Sequence, residues 1–247
     1  MAIQEAPAAQ VNSVASRPLQ ARLYRVFGYF GLGSVMAALV HGFRYSPEAD
    51  PGNYLFNAAL YVAFIAPHLV LTRSWWKKAV WGHPAGSPRE RQFYIVLTIV
   101  TWLGVLWLQR PVPGPSIEMP EAIRFAALVG FLWSLLLFFQ GATPAALDGL
   151  IGMPGTEMQF SHGGETPLFT DGPYAEVRHP MYRAVILMGI CALAMHANAA
   201  QLFWTAMLGV TFIGFIPIEE AQLIRARGDD YRRYCQQTPY RLFRGIW

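Results

Sequence analysis

Two short stretches of this 247-residue chain are crowded with side chains that could do chemistry. The first, DGPYAEVRHPMYRA at residues 171–184, sets a Gly-Pro turn, Tyr174, Glu176, Arg178, the His179-Pro180 pair, Tyr182 and Arg183 in front of an apolar run. In the second, Glu219 and Glu220 directly follow another apolar run and precede AQLIRARGDDYRRYCQQTPYRLF. Each has a plain structural account. Proline is favoured in the first turn of a helix because its missing N–H is not needed there, and an acid pair can simply end a helix in water. Yet a helix start also presents free backbone N–H groups and a positive dipole end, which seat a carboxylate. If the two apolar runs form a hairpin, Arg178, His179 and Tyr182 lie at the same depth as Glu219 and Glu220. Ionisable groups meeting at one depth of a membrane protein mark a site.

The elements that must hold these groups are helices in a bilayer. The chain is 54% hydrophobic and 14% charged, with a mean hydropathy of +0.28, against roughly 25% charged residues in a soluble domain. Six apolar runs approach the ~20 residues needed for a crossing: 24–40, 54–71, 93–108, 122–139, 184–195 and 201–218. The fifth is short, and only the tight HANAA turn separates it from the sixth, so these two read as a helical hairpin. The expectation is an all-α polytopic membrane protein with about six transmembrane helices and a helical C-terminal segment in the cytoplasm. Residues 1–22 read as a cytoplasmic tail, lacking the apolar core of a signal peptide, and 23–247 as one membrane domain, with 172–247 its signature region.

Charge sets the orientation. Sixteen of the 19 Lys and Arg residues lie in the N-terminal arm, the second and fourth connections and the C-terminal tail, leaving Arg44, Arg110 and Arg124 on the other side. The positive-inside rule then places both termini in the cytoplasm, in a bacterial inner membrane. The net charge of +4 fits anionic lipid, and no basic, aromatic-interleaved patch points to nucleic acid. Cys191 and Cys235 fall at different depths and are not expected to pair. The sequence leaves the oligomeric state undetermined.

Beyond the membrane, Gly228 reads as a helix stop or bend, after which Tyr231 and Tyr234, three apart, share one face and Arg232 and Arg233 turn elsewhere. The connection at residues 140–171, rich in Gly, Pro and Thr, is long enough to be functional. It is expected to shape an acceptor's entrance, with the Gly172-Pro173 turn bringing the following stretch onto the site.

The two reactive stretches together resemble the paired signature of the isoprenylcysteine carboxyl methyltransferase and phospholipid methyltransferase superfamily of integral membrane methyltransferases. That signature runs R-H-P-x-Y-x-G, then E-E-x-x-L, then G-x-x-Y-x-x-Y and a Pro-Arg-like end. Here Ala184 replaces the last glycine of the first part, and TPYRLF stands where V-P-R is commoner. In the front half, residues 66–82 and 89–114 are similar to the bacterial methanethiol S-methyltransferase branch, although its Asn-His-Phe-Asp-like segment is replaced by FFQGATPAALDGLIG. The resemblance implies S-adenosylmethionine as methyl donor, bound by Tyr174, Arg178, His179, Pro180, Tyr182, Glu219, Glu220, Tyr231 and Tyr234, with no metal. Glu219 or Glu220 would take the donor's ammonium, and the start of the fifth apolar helix with Arg178 and His179 its carboxylate. Glu220, His179 and Arg178 would form the catalytic group, and His68 and Arg73 would lie on the acceptor side. A neutral acceptor needs a base, for which His179, His68 or Glu220 could serve.

The implied activity is methyl transfer to a small or lipophilic acceptor in the bilayer, a thiol first, with an isoprenylcysteine-like carboxylate or a phospholipid amine as alternatives. From another class, a non-enzymatic membrane protein retaining the fold is the rival. The Gly31-Leu-Gly33 pair lies within an apolar run rather than between strand and helix, which argues against a soluble nucleotide-binding fold. The six histidines are scattered along the chain, unlike the clustered ligands of a di-iron enzyme. A transporter would show mid-membrane polar groups or paired broken helices.

Overall fold

The computed structural model describes residues 18–82, 88–142 and 168–247. The N-terminal tail through residue 17, His83, and most of the 140–171 connection, His162 included, lie outside the described residues. The described residues are helical: α1 Pro18–His41, α2 Gly52–Leu71, α3 Ser74–Trp81, α4 Pro88–Leu108, α5 Glu121–Gly141, α6 Pro173–Glu176, α7 Pro180–Met195, α8 Ala199–Arg227 and α9 Asp229–Gln237.

All six apolar runs fall within helices. Three of these, α2, α5 and α8, are long and apolar enough to cross a membrane, while α1, α4 and α7 offer shorter apolar stretches at Val26–His41, Gln92–Leu108 and Pro180–Met195. Arg22 in α1 and Arg89, Glu90 and Arg91 in α4 take the first turns out of the apolar stretch. At 16 residues, α7 spans about 24 Å, short of a ~30 Å hydrocarbon core.

The second half of the hairpin is continuous. One 29-residue helix, α8, runs through Pro217 and carries Glu219 and Glu220 past the apolar stretch without a break. A proline costs the bond its N–H would have given, which membrane helices tolerate when neighbours restore the freed group. The hairpin turn is held by Asn198, whose side chain accepts a hydrogen bond from Gln201 N at 2.9 Å and caps α8.

Three connections, after α1, α4 and α7, gather at one end. Tyr45 bridges to Val112 and Ser116 to Asn198, and the His196 Nε2–H donates to the Val40 carbonyl at 2.6 Å. Fully buried Asn57 locks α2 to this cap by donating to Arg110 O at 2.8 Å and accepting from Arg110 N at 2.9 Å. Asn57→Ala should therefore strand both backbone groups, lowering stability by about 2–3 kcal/mol. A shift in thermal unfolding in detergent measures it, and an unchanged midpoint contradicts it.

The core lies between these helices, with Phe43 stacked on Trp204 at 4.9 Å and Val105, Phe131, Ala184 and Met188 buried together. Ala184, in the position the signature usually gives to glycine, is fully buried in this core. The α7 helix packs chiefly against α5. Two glycines of α5 allow the close approach: an added Cβ would meet Cys191 Sγ at 3.0 Å from Gly130 and Met181 Cγ at 3.0 Å from Gly141.

Candidate functional site

At the end opposite the cap, the chain bends sharply twice, and both bends use glycine. Gly172, at φ 59° and ψ −129°, precedes α6, and Gly228, at φ 55° and ψ −122°, separates α8 from α9. Side chains are rarely tolerated in this region. The expected stop at Gly228 is there, and so is the face split: Tyr231 and Tyr234 are buried, while Arg232 and Arg233 are exposed and pair with Asp229 and Asp230. Substituting Gly228 by alanine should cost on the order of 1–3 kcal/mol, read as a lower unfolding midpoint. No loss would mean that this bend relaxes freely.

Pro180 is the first residue of α7, and His179 precedes it. Because α7 and α8 form a hairpin, the start of one meets the far part of the other, and Glu220 becomes the hub of a buried ion cluster. Arg178 Nε donates to Glu220 Oε1 at 2.7 Å, His179 Nε2 lies 3.3 Å from the same oxygen, and Arg241 reaches Oε2 with Nε at 3.0 Å and Nη2 at 2.9 Å. Arg178 Nη1 also donates to the carbonyls of Thr238 at 2.9 Å and Pro239 at 2.7 Å. Main-chain bonds run in parallel: Arg178 N to Tyr240 O and His179 N to Arg241 O, each at 2.9 Å.

Glu219 stands differently. Its side chain keeps 33% of its surface exposed, against 9% for Glu220, and it lies 3.6 Å from His179 Nδ1. The imidazole thus sits between two carboxylates, with one face stacked on Tyr182 at 5.4 Å, whose hydroxyl interacts with Glu219. Burial alone would lower the His179 pKa, but the hydrogen bonds and charges of Glu219 and Glu220 outweigh it and hold the value above that of an ordinary histidine. Its protonated form therefore favours the folded state below the unfolded pKa of about 6.5, and this contribution is lost as pH rises through the raised folded value. Thermal stability should decline across that alkaline window in the native protein, and His179→Gln should flatten the decline. Parallel profiles for the two proteins would contradict the pairing.

Tyrosines join the cluster to the helices around it. The Tyr234 hydroxyl donates to Tyr174 O at 2.8 Å, and the Tyr174 hydroxyl donates to Gly141 O at 3.2 Å. Burial, then the charge of Glu219, pushes the Tyr174 phenol up to about 12. Burial likewise raises Tyr231 and Tyr234, so all three remain neutral hydrogen-bonding groups. Cys235 is also pushed up by burial, which removes it as a ready thiolate.

Of the residues singled out in the sequence, Arg178, His179, Tyr182, Glu219 and Glu220 are linked in one network of contacts, Pro180 starts α7, and Tyr174 and Tyr234 brace the cluster's edge. His68 is reached through aromatic contacts, lying 5.4 Å from Tyr94 by ring centroids. Arg73 occupies the N-cap position of α3 without a side-chain cap bond and takes no part in the contacts described for the cluster. Arg241 was not among the expected site residues, because its TPYR context departs from the usual ending. It nonetheless closes on Glu220, with Trp247 against its guanidinium at 5.0 Å. Tyr94 gave no signal in the sequence beyond an aromatic residue on an apolar helix.

No family model matches the chain. It is similar to two proteins of Bradyrhizobium diazoefficiens: Methanethiol S-methyltransferase 1, 27% identical over 199 residues, and Methanethiol S-methyltransferase 2, 27% identical over 197 residues. The chain is related to these methyltransferases. The matches take in 74% and 75% of this chain, and 65% and 71% of the two relatives, so the first relative is covered over less than two thirds of its length. The relation agrees with the branch suggested by the front half of the sequence.

Proposed function

We propose that the chain is an S-adenosylmethionine-dependent membrane methyltransferase whose acceptor is a small thiol. The observation that carries the proposal is the joining of both signature halves, Arg178-His179 and Glu219-Glu220, into one cluster in a chain related to two methanethiol S-methyltransferases. The cluster's chemistry fits the amino-acid end of the donor. Glu219, the partly exposed carboxylate, is placed to pair with an ammonium. The first-turn N–H groups of α7 at Met181 and Tyr182 precede the hydrogen-bonded ladder that opens with Arg183 N to His179 O at 3.0 Å, and they suit a carboxylate.

Arg178 and Glu220 are positioning residues in this reading, because Glu220 holds Arg178, His179 and Arg241 together. Tyr182, stacked on His179 and 4.8 Å from Phe212, offers an aromatic face at the boundary of the bilayer, while Tyr174, Tyr231 and Tyr234 support the wall behind it. When bound, S-adenosylmethionine supplies a methyl group already activated on a sulfonium, so the chain's own contribution is to align the two partners and exclude water.

The site end faces the cytoplasm in this proposal, where the donor is made. Arg44, Arg110 and Arg124 lie in or beside connections at the opposite end, in keeping with the positive-inside rule. Cysteine-accessibility labelling should find engineered positions in the C-terminal segment shielded from outside reagents. The activity itself is tested with purified protein, S-adenosylmethionine and methanethiol: formation of dimethyl sulfide and S-adenosylhomocysteine is the expected result. Turnover only with a phospholipid amine or an isoprenylcysteine carboxylate would overturn the thiol assignment, and no donor binding by calorimetry would overturn the enzyme.

A further inference from the structure

Resting on that reading, the geometry points to His68 as the base that takes the proton from the thiol acceptor, and so to a neutral thiol rather than a preformed anion as the species that enters. His68 Nδ1 lies 2.7 Å from the Phe64 carbonyl oxygen. A carbonyl can only accept, so Nδ1 carries the hydrogen and the bare lone pair of the neutral ring is on Nε2. That Nε2 is buried and has no hydrogen-bond partner among the described residues. A backbone carbonyl fixing one ring nitrogen so that the other faces its task is the usual way a histidine is held in one tautomer.

The helix register brings this nitrogen to the level of the cluster. The α2 and α8 helices run in the same direction, with Tyr54 packed on Phe203 at 5.5 Å and the Tyr61 hydroxyl donating to Thr211 Oγ1 at 2.9 Å. Carrying this pairing two turns further, at about 1.5 Å per residue on both helices, sets His68 level with Ile218, one residue before Glu219. From the other side, His68 meets Tyr94 edge-on at 5.4 Å. Phe64 lies 4.6 Å from His68 and 5.6 Å from Trp102. The surroundings of Nε2 are therefore aromatic, suited to a small apolar thiol. Tyr94 from α4 is the titratable side chain in ring contact with it, and the Lys77–Glu90 ion pair at 2.9 Å joins the neighbouring α3 to α4.

The step balances simply. The thiol proton passes to His68 Nε2 as the thiol sulfur's electron pair forms the new S–CH3 bond. The carbon–sulfonium bond breaks with its electron pair remaining on the departing sulfur, and His68 then returns the proton to water. General-base assistance of this kind is worth about 10²–10⁴-fold.

The test compares two acceptors, an alkanethiol that is neutral at pH 7.5 and an acidic aromatic thiol that is already ionised. His68→Gln and His68→Ala should bind S-adenosylhomocysteine as the native protein does, lose about 10²-fold or more in kcat with the alkanethiol, and lose less than about tenfold with the aromatic thiol. Equal losses on both acceptors, or none on the alkanethiol, overturn the role. A native-protein measurement does not depend on the variants folding: kcat/KM for the alkanethiol should level off well below the thiol's own pKa, whereas a rise continuing up to that pKa overturns the proposal. A further readout needs no donor. In protein carrying 15N-labelled histidine, added ethanethiol should shift one Nε2 resonance that is missing from His68→Gln, and an unmoved resonance counts against the proposal. Native protein that binds donor yet methylates no thiol overturns the thiol reading and this role together. Activity on both thiols with no difference between native and variant proteins sinks the role alone.

Discussion

Glu220→Ala is expected to destabilise the protein by about 3–5 kcal/mol, the cost of removing one partner from a buried ion pair and leaving the other charges uncompensated. Glu220 is where Arg178, His179 and Arg241 converge, with 2.7 Å, 3.3 Å and 2.9 Å contacts on its two oxygens. Without it, two guanidiniums and the His179 imidazole are left without the carboxylate that joins them, and the segment from Thr238 to Trp247 loses its ionic tie to the start of α7. Unfolding of the C-terminal segment should come first, visible as faster proteolysis after Gly228 and a lower thermal midpoint in detergent. Arg241→Ala should reproduce a smaller part of the effect, because its side chain is 32% exposed and water can partly replace the contact. A stable Glu220→Ala protein with an intact C-terminal segment would show that the main-chain bonds of Arg178 and His179 to Tyr240 and Arg241 suffice.

Glu219→Gln should behave in the opposite way, with little change in stability and a loss of donor affinity of about 1.5–3 kcal/mol, or roughly 10- to 150-fold, the range for a hydrogen bond to a charged group. The contrast follows from position on one helix. Adjacent residues point about 100° apart, so when Glu220 turns into the cluster, Glu219 turns past His179 toward Tyr182 and the exposed side. Calorimetry with S-adenosylhomocysteine, which keeps the donor's amino-acid end, reads the difference directly. Unchanged affinity in Glu219→Gln would move the ammonium elsewhere, and a Glu219 variant as unstable as Glu220→Ala would mean that the pair works as one structural unit. Measured together, the two substitutions separate what holds the site from what the site holds.

Local pattern by itself determined the helices. Each apolar run lies in a helix because burying backbone polar groups in hydrocarbon forces hydrogen bonding within the segment, and that pressure depends only on neighbours in sequence. The same holds for the break at Gly228, for the buried face made by Tyr231 and Tyr234, and for Pro180 as the first residue of α7. The common depth of Arg178, His179 and the acid pair was also legible, because a hairpin with a tight turn leaves little freedom in register.

Only the tertiary structure decided how those groups divide the work. Arg241 reaches Glu220 from 21 residues away and Arg178 from 42, and nothing in the local composition of TPYRLF announces that the chain folds back there. The unbroken course of α8 through Pro217, which carries Glu219 and Glu220 on one rigid rod, likewise depends on packing that a local proline signal opposes. The approach of Tyr94 to His68 joins α4 to α2, two helices whose apolar faces look alike in sequence. Hydropathy says that such faces will be buried or will meet lipid, but it carries no information about which neighbour each will meet. That choice belongs to shape and to a few directional contacts, such as Tyr61 to Thr211 and Asn57 to Arg110, that fix one helix against another.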